Sequence, residues 1–152
     1  MTALDVSNNT ALTNLECIGK ELTSLDLSSN PEITELDCSQ NQLTSLDVSA
    51  NTALTHLYSH INPLTSLDVS ANTALTTLQC NGNQLTTLDL SSNTALTHLD
   101  CNNCTLYTSD AADERPCLGL GGRRIIQKKN TKNIKYKPIT RENDEHQRTA
   151  IT

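Results

Sequence analysis

The chain of 152 residues contains no tryptophan and no phenylalanine, and three tyrosines are its only aromatic residues. Large aromatic side chains usually fill much of a globular core, so leucine, valine and cysteine must fill the core of this protein. No stretch approaches the roughly 20 apolar residues that span a bilayer. The opening MTALDVSNN has neither the basic start nor the apolar run of a signal peptide. We therefore expect no transmembrane segment and no signal peptide in this sequence.

Positive charge is scarce over most of the chain. Residues 1–110 contain one cation, Lys20, against twelve acidic residues. Residues 111–152 contain ten lysines or arginines against five acidic residues. Such an asymmetry indicates two regions with different physical properties, an acidic body and a basic tail. The basic tail could contact nucleic acid, anionic lipid or the acidic body, and its partner is unknown.

A repeat of 21 residues, built from two similar halves, runs through the acidic region. One strict column is Asp5, Asp26, Asp47, Asp68 and Asp89. Each half follows the pattern LxxLxLxxN, in which alternating leucines predict a short strand. Stacked coils would place parallel strands about 4.8 Å apart and bury each other's apolar faces. The sequence therefore predicts a β-rich solenoid of about five 21-residue coils, made of short parallel strands and turns with little helix.

Asparagine columns follow the strands of both halves. We expect these asparagines to be buried at the turns and to bond backbone groups of their own coil and of the next one, because a bend leaves such groups without partners. The predicted columns are Asn9, Asn30, Asn51, Asn72 and Asn93 in one half, and Asn41, Asn62 and Asn83 in the other.

The second half of each coil has a recognisable motif, as in Leu75-x-x-Leu78-x-Cys80-x-x-Asn83-x-Leu85. This motif resembles the leucine-rich repeat, and the 21-residue period with cysteine in one inward column is similar to the bacterial cysteine-ladder, or internalin J, type. The resemblance covers residues 3 to about 104. It implies a repeat solenoid that binds proteins or surface ligands and is rarely an enzyme. It also implies a secreted or cell-surface location.

Four cysteines share one inward column: Cys17, Cys38, Cys80 and Cys101. Parallel strands in register keep the Cβ atoms of such a column about 4.8 Å apart, which exceeds the roughly 3.8 Å preferred in a disulfide. Ser59 also interrupts the column. We therefore expect four buried free thiols that act as small apolar side chains. A zinc site of Cys101, Cys104, Cys117 and His146 has irregular spacing and is not favoured.

The outward positions of the two halves differ. In the first half they read Ser-Asp-Ser with little change, which suits solubility; in the second half they differ from coil to coil, as a recognition surface would. His56, Tyr58 and His60 stand out in the third coil, where we expect them to share one strand, because tyrosine is common at binding hot spots. The candidate binding residues are His56, Tyr58, His60, Glu35, Asp37, Thr77, Gln79, His98 and Asp100.

Catalytic patterns are absent from the sequence. The Asp column offers no differentiated pair of acid and base, and Gly119-Leu120-Gly121-Gly122 lacks the Lys-Ser/Thr of a phosphate-binding loop. The hypothesis for function is therefore non-catalytic recognition of a protein or surface ligand, without a cofactor or metal, and without nucleic acid binding by the repeats. The alternatives are a structural repeat segment of a larger surface protein and an ice-binding threonine array.

The sequence suggests three regions. We assign residues 1–104 to the leucine-rich-repeat solenoid and residues 105–126 to a degenerate last coil or rough cap. Residues 127–152 form a basic tail that we expect to be disordered, because its polar composition buries little apolar surface.

Overall fold

The computed structural model describes residues 2–104, together with the backbone of three later strands. Ten strands occur in the described part of the chain, and no helix does. They are β1 (Ala3–Leu4), β2 (Asn14–Glu16), β3 (Ser24–Leu25), β4 (Glu35–Asp37), β5 (His56–Tyr58), β6 (Thr77–Gln79), β7 (His98–Asp100), β8 (Arg115–Gly119), β9 (Arg123–Gln127) and β10 (Ile134–Lys135). The described residues therefore contain no helix that could cross a membrane.

One sheet contains the strand from the second half of every coil. Its order is β10-β7-β6-β5-β4-β2. The five strands β2, β4, β5, β6 and β7 are parallel to one another. Each strand pairs with residues 21 positions further on, as Leu36 pairs with Leu57 and Leu57 with Leu78. The coils therefore stack without a shift in register, and the predicted parallel-strand solenoid is confirmed.

The core is a stack of aliphatic rows inside the coils. The middle residue of each strand points inward, and Leu36, Leu57 and Leu78 are fully buried. Val48, Val69 and further leucines on the opposite side of the coil pack against the same cluster. Because each coil is too thin to enclose these side chains alone, neighbouring coils provide most of the burial.

Three members of the cysteine column, Cys17, Cys38 and Cys80, are buried free thiols, as the sequence predicts. Burial, and then the Asp37 carboxylate, raises the pKa of Cys17 to about 11. Cys101 was predicted to be free, and this is wrong, because it is disulfide-bonded. Cys17, Cys38, Cys80 and Cys104 are free, so the disulfide joins no two members of the column. The spacing of the strands disfavours a disulfide between two members of the column. It places no limit on a disulfide to a cysteine outside the column.

The asparagine columns bind the turns of successive coils. Asn62 Nδ2 donates to the carbonyl oxygens of Cys38 and Ser59 at 3.1 Å, and its Oδ1 accepts from Leu43 N at 3.0 Å. In the other half, Asn51 Nδ2 donates to Asn30 O in the preceding coil at 2.8 Å. These side chains satisfy backbone groups that the bends leave without partners, as expected from the sequence. The expectation is wrong for Asn9, which lies in the first coil and is exposed.

The first half of the coil forms fewer ladder bonds than the second. Only β1 and β3 pair there among the described residues. Beyond the coils, β8 and β9 form an antiparallel hairpin, and β10 pairs antiparallel with β7. The rest of residues 105–152 lies outside the described part, so the predicted cap and disordered tail stay predictions.

Candidate functional site

The variable face consists of the outward side chains of β2, β4, β5, β6 and β7. On the three central strands β4, β5 and β6, both outward residues are half-buried, and on β7 Asp100 is half-buried while His98 is exposed. The constant face consists of the outward Ser-Asp-Ser residues of the other half, and Ser45, Asp47 and Ser66 there are exposed. Side chains on the variable face are therefore more crowded, so that face offers ligands more enclosed positions.

A groove of about 280 Å³ lies on the variable face and spans β5, β6 and β7; we call it the central groove. It is lined by His56, Tyr58, Thr77, Leu78, Gln79, His98, Leu99 and Asp100. Six of these eight are among the nine residues proposed from the sequence. The register places them together, because His56, Thr77 and His98 are successive partners, as are Tyr58, Gln79 and Asp100.

An aromatic pair forms one wall of the central groove. The rings of His56 and Tyr58 have centroids 6.5 Å apart and an interplanar angle of 29°. Partial burial, and then the carboxylates of Glu35 and Asp37, raise the pKa of Tyr58 above its usual value. The phenol therefore stays protonated at neutral pH and can donate a hydrogen bond to a ligand.

Carboxylates border the groove on both sides. Glu35 Oε2 accepts a hydrogen bond from Asn14 Nδ2 at 3.0 Å on the β4 side. On β7, Asp100 Oδ1 accepts from Asn102 N at 3.1 Å and from Asn102 Nδ2 at 2.7 Å. Asp100 is half-buried and lines the groove, so its carboxylate can also accept a hydrogen bond from a ligand.

His60 lies outside the central groove. Strand β5 ends at Tyr58, so the expectation that His56, Tyr58 and His60 share one strand is wrong for His60. The chain bends at residues 61–62, and His60 O accepts a hydrogen bond from Gln40 N of the preceding coil at 2.9 Å. His60 Nδ1 and the neighbouring Asn81 Oδ1 are buried without a hydrogen-bond partner among the described residues. Glu35 and Asp37 also lie outside the groove lining, on the adjacent strand β4.

Two threonines that contact histidines of the groove were not proposed from the sequence. Thr55 Oγ1 lies 2.9 Å from His56 Nδ1, and Thr97 Oγ1 lies 2.9 Å from His98 Nδ1. Both belong to the strict column Thr13, Thr34, Thr55, Thr76 and Thr97. The signal was that a histidine follows this column in two of the five coils.

Residues 2–104 contain no group of three or more His, Cys, Asp or Glu side chains that could hold a metal ion. Cys104 occupies the place of a column asparagine, and its Sγ donates to Cys80 O at 3.2 Å. That contact is the sulfur equivalent of the bond from Asn83 Nδ2 to Ser59 O in the preceding coil. Cys104 thus has a structural role at its turn.

Comparisons with known proteins give a structural match. No protein-family model and no curated protein matches the chain. A solved structure of the functional domain of InlJ from Listeria monocytogenes, which includes a cysteine ladder, is similar to this chain, with 43% identity and a TM-score of 0.69. The match covers 72% of this chain and 24% of that chain, so this chain spans only part of the length of the InlJ domain. The cysteine-ladder resemblance predicted from the sequence is confirmed.

Proposed function

We propose that this chain is a non-catalytic recognition module, because its repeats are similar to those of the InlJ domain that includes a cysteine ladder. It binds a protein or another surface ligand through the variable face, with the central groove as the main contact. The observation that carries the proposal is the gathering of His56, Tyr58, Thr77, Gln79, His98 and Asp100 around one groove. These residues differ between coils, whereas the inward residues recur.

The charge of the variable face supports a neutral or basic partner. This face has four carboxylates, those of Glu16, Glu35, Asp37 and Asp100. Its strands β2, β4, β5, β6 and β7 contain no lysine or arginine. Opposite charges speed encounter and exclude wrong partners more than they add affinity. The same charge disfavours binding of nucleic acid by the repeats, because phosphate backbones carry negative charge.

A rigid scaffold suits this role. The strands that present the face are held by the parallel ladder and by Asn41, Asn62 and Asn83 at the turns after β4, β5 and β6. Side chains on such a frame lose little conformational freedom on binding, which favours affinity. The mechanism we propose is the presentation of prearranged side chains, without a chemical step.

An ice-binding threonine array is less well supported. Oγ1 of Thr34, Thr55, Thr76 and Thr97 donates to the carbonyl oxygen 21 residues earlier, at 2.9 to 3.2 Å. These hydroxyl protons are used inside the solenoid, so the column cannot present them to an ice surface. Unchanged ice recrystallisation in the presence of the protein is the expected result.

The second candidate function is a structural segment of a longer surface protein. The InlJ match favours it, because it covers only 24% of that chain, and a piece of a repeat array need not contain the binding site. In either case the family resemblance supports a secreted or cell-surface location. That location is part of the proposal.

Affinity capture separates the two candidates. The full chain and the variant His56→Ser/Tyr58→Ser/His60→Ser would be immobilised, exposed to candidate host or environmental extracts, and compared by mass spectrometry after circular dichroism of both. We expect a partner retained by the wild type and lost by the variant. Equal capture by both would contradict the proposed site, and no specific capture by either would favour the structural segment.

A further inference from the structure

The two groove histidines are held in the same way. Thr55 Oγ1 lies 2.9 Å from His56 Nδ1, and Thr97 Oγ1 lies 2.9 Å from His98 Nδ1. The two rings are two coils apart, with Thr77 between them in the register. Both rings line the central groove. Each imidazole is therefore anchored through Nδ1, which leaves Nε2 for a ligand.

The threonine hydrogen bonds indicate a tautomer for both rings. A hydroxyl has a single proton to donate. Thr34 Oγ1 and Thr76 Oγ1 donate to a carbonyl of the preceding coil, although no histidine follows either residue. Thr55 Oγ1 and Thr97 Oγ1 lie 2.9 and 3.1 Å from the equivalent carbonyl oxygens, which also accept backbone N–H bonds, and we assign their protons the same direction.

With the hydroxyl protons directed in this way, Thr55 Oγ1 and Thr97 Oγ1 accept from the adjacent ring. Nδ1 of His56 and of His98 must carry the proton, and in the neutral ring the lone pair is then on Nε2. The central groove therefore contains two fixed hydrogen-bond acceptors in addition to the Asp100 carboxylate. A ligand with several donors and no acceptor matches this set.

Arginine has these properties. Its guanidinium group is planar, always charged, has five N–H donors and stacks on aromatic rings. The groove volume of about 280 Å³ accommodates one long side chain, and Tyr58 provides an aromatic face beside it. Strands β5, β6 and β7, which form the groove, contain no lysine or arginine. A cation would therefore meet only attractive charge from these strands.

We propose that the central groove is a subsite for an arginine side chain of the partner protein, with His56 and His98 as acceptors through Nε2. This inference rests on the proposed function, since it names what the variable face recognises. Lysine fits less well, because its ammonium is a point charge with three donors and no plane to stack.

The subsite should lose affinity as pH falls. A second proton on either imidazole would occupy Nε2, so an acceptor would become a cationic donor facing the guanidinium. The charged and titratable groups around the rings are Glu35 and Asp37 on β4, Tyr58 on β5 and Asp100 on β7, while β6 contributes none. On the other side of β7, the backbone of Lys135 pairs with His98.

The test uses nuclear magnetic resonance on the full ¹⁵N-labelled chain. N-acetyl-arginine amide would be titrated while the amide signals of Thr77, Gln79 and His98 are followed, at about pH 7.5 and about pH 5.5. N-acetyl-citrulline amide, which has nearly the same shape without the charge, and N-acetyl-lysine amide are the comparison probes. We expect saturable shifts with arginine, binding about tenfold weaker with citrulline, and a several-fold loss of arginine affinity at the lower pH.

A matched variant isolates the histidines. His56→Gln/His98→Gln places an amide at each position and has no imidazole to protonate, so we expect weaker arginine binding that no longer depends on pH. Long-range ¹H–¹⁵N spectra of the wild-type rings should find the proton on Nδ1. A proton on Nε2, equal binding of citrulline or lysine, or no saturable shift with arginine would overturn the subsite.

The outcomes separate this inference from the proposed function. A partner that is captured by the wild type and lost by the triple variant, without arginine binding in the groove, would contradict the subsite alone. Arginine binding that follows the predicted pH dependence would support the subsite even if capture identified no partner.

Discussion

One residue in the turn after each variable-face strand has a left-handed backbone conformation. This column is Gly19, Gln40, Ile61, Gly82 and Asn103, with φ between 54° and 67°. Glycine and asparagine adopt this conformation at little cost, whereas a β-branched side chain is strained in it. Ile61 is therefore the most strained member of the column, and it is also 53% exposed.

Relieving this strain should stabilise the protein. We expect Ile61→Gly to raise the free energy of unfolding by about 1 kcal/mol, because a left-handed backbone costs a non-glycine residue about that much. Urea unfolding followed by circular dichroism measures the change. The reciprocal variant Gly82→Ile, made at φ +67°, should lower stability. An unchanged or lower stability of Ile61→Gly would mean that the strain is compensated by contacts of the isoleucine.

The free cysteines should differ in reactivity. A hydrogen bond with the Cys80 thiol lowers the pKa of Cys104, whereas burial, and then Asp37, raises the pKa of Cys17. Thiolates react faster than thiols. In the native protein we therefore expect alkylation of Cys104 before Cys17, Cys38 and Cys80, measured by mass spectrometry of the labelled peptides. Equal rates in native and urea-unfolded protein would contradict the burial of the column.

The direction of a side chain could be predicted from the sequence where the same residue type repeats every 21 positions. The inward direction of Cys17, Cys38 and Cys80 followed from the period alone. The disulfide of Cys101 did not, because a bond to a cysteine outside the column depends on how the chain folds beyond the repeats. The hydrogen bond of Thr55 to His56 was likewise invisible, since it depends on the rotamers of both side chains.

The turns after β4, β5 and β6 each contain one buried asparagine, which is Asn41, Asn62 or Asn83. Asn62 donates to three carbonyl oxygens, those of Cys38, Ser59 and His60, and accepts from Leu43 N. Removing the Asn62 side chain takes away the acceptor of the buried Leu43 N, whereas Cys38 O and Ser59 O keep bonds from Asn41 Nδ2 and Asn83 Nδ2. Each unsatisfied buried group costs about 1 to 3 kcal/mol.

We therefore expect Asn62→Ala to lower the free energy of unfolding by about 1 to 3 kcal/mol. The variant Asn62→Cys copies the arrangement at Cys104, where one sulfur contact replaces the amide contacts, and should lose less. Urea unfolding of both variants beside the wild type gives the two differences. A loss below about 1 kcal/mol in the alanine variant would indicate that water replaces the amide.

The constant face contributes a pH-dependent stabilisation. Ser49 N donates to Asp47 Oδ1 at 2.9 Å, and the hydrogen bonds from the side chain and backbone of Ser49 lower the pKa of Asp47. A carboxyl group whose pKa is lower in the folded state stabilises the fold above its unfolded pKa. This stabilisation is lost as pH falls below the unfolded value of 3.8 and through the folded value.

Asp47→Asn should therefore flatten the acid limb of the stability profile. Between about pH 5 and about pH 3 we expect the wild type to lose more stability than the variant, as measured by urea midpoints at each pH. Ser49→Ala, which removes one donor and keeps the carboxylate, should lie between them. The same slope in all three proteins would contradict a contribution from this turn.

Strands were predictable at the scale of the element, and their pairing was less so. The second half of each coil forms a strand, as its alternating leucines predict. These strands are β2, β4, β5, β6 and β7. The first half has the same pattern, but only β1 and β3 pair there among the described residues. Pairing requires close approach of backbones in successive coils, and the leucine pattern specifies the inward side without specifying that distance.

The whole molecule follows from its period. A shift-free repeat of 21 residues aligns every inward row, so the fold class and the core could be predicted with no large aromatic residue present. The candidate residues meet for the same reason, because the register brings positions 56, 77 and 98 side by side. The location of the groove across β5 to β7 could not be predicted, since it depends on the sizes and rotamers of the outward side chains.

The central claim is that the variable face recognises a partner and the constant face does not. Binding isotherms of the captured partner test it most directly, with the wild type, His56→Ser/Tyr58→Ser/His60→Ser, and the matched control Ser45→Ala/Ser66→Ala/Thr87→Ala. The control changes three exposed positions on the constant face. We predict that the first variant weakens binding by about 2 kcal/mol or more, as the loss of a tyrosine hot spot does, while the control binds like the wild type. Wild-type affinity in the first variant, or a comparable loss in the control, would contradict the claim.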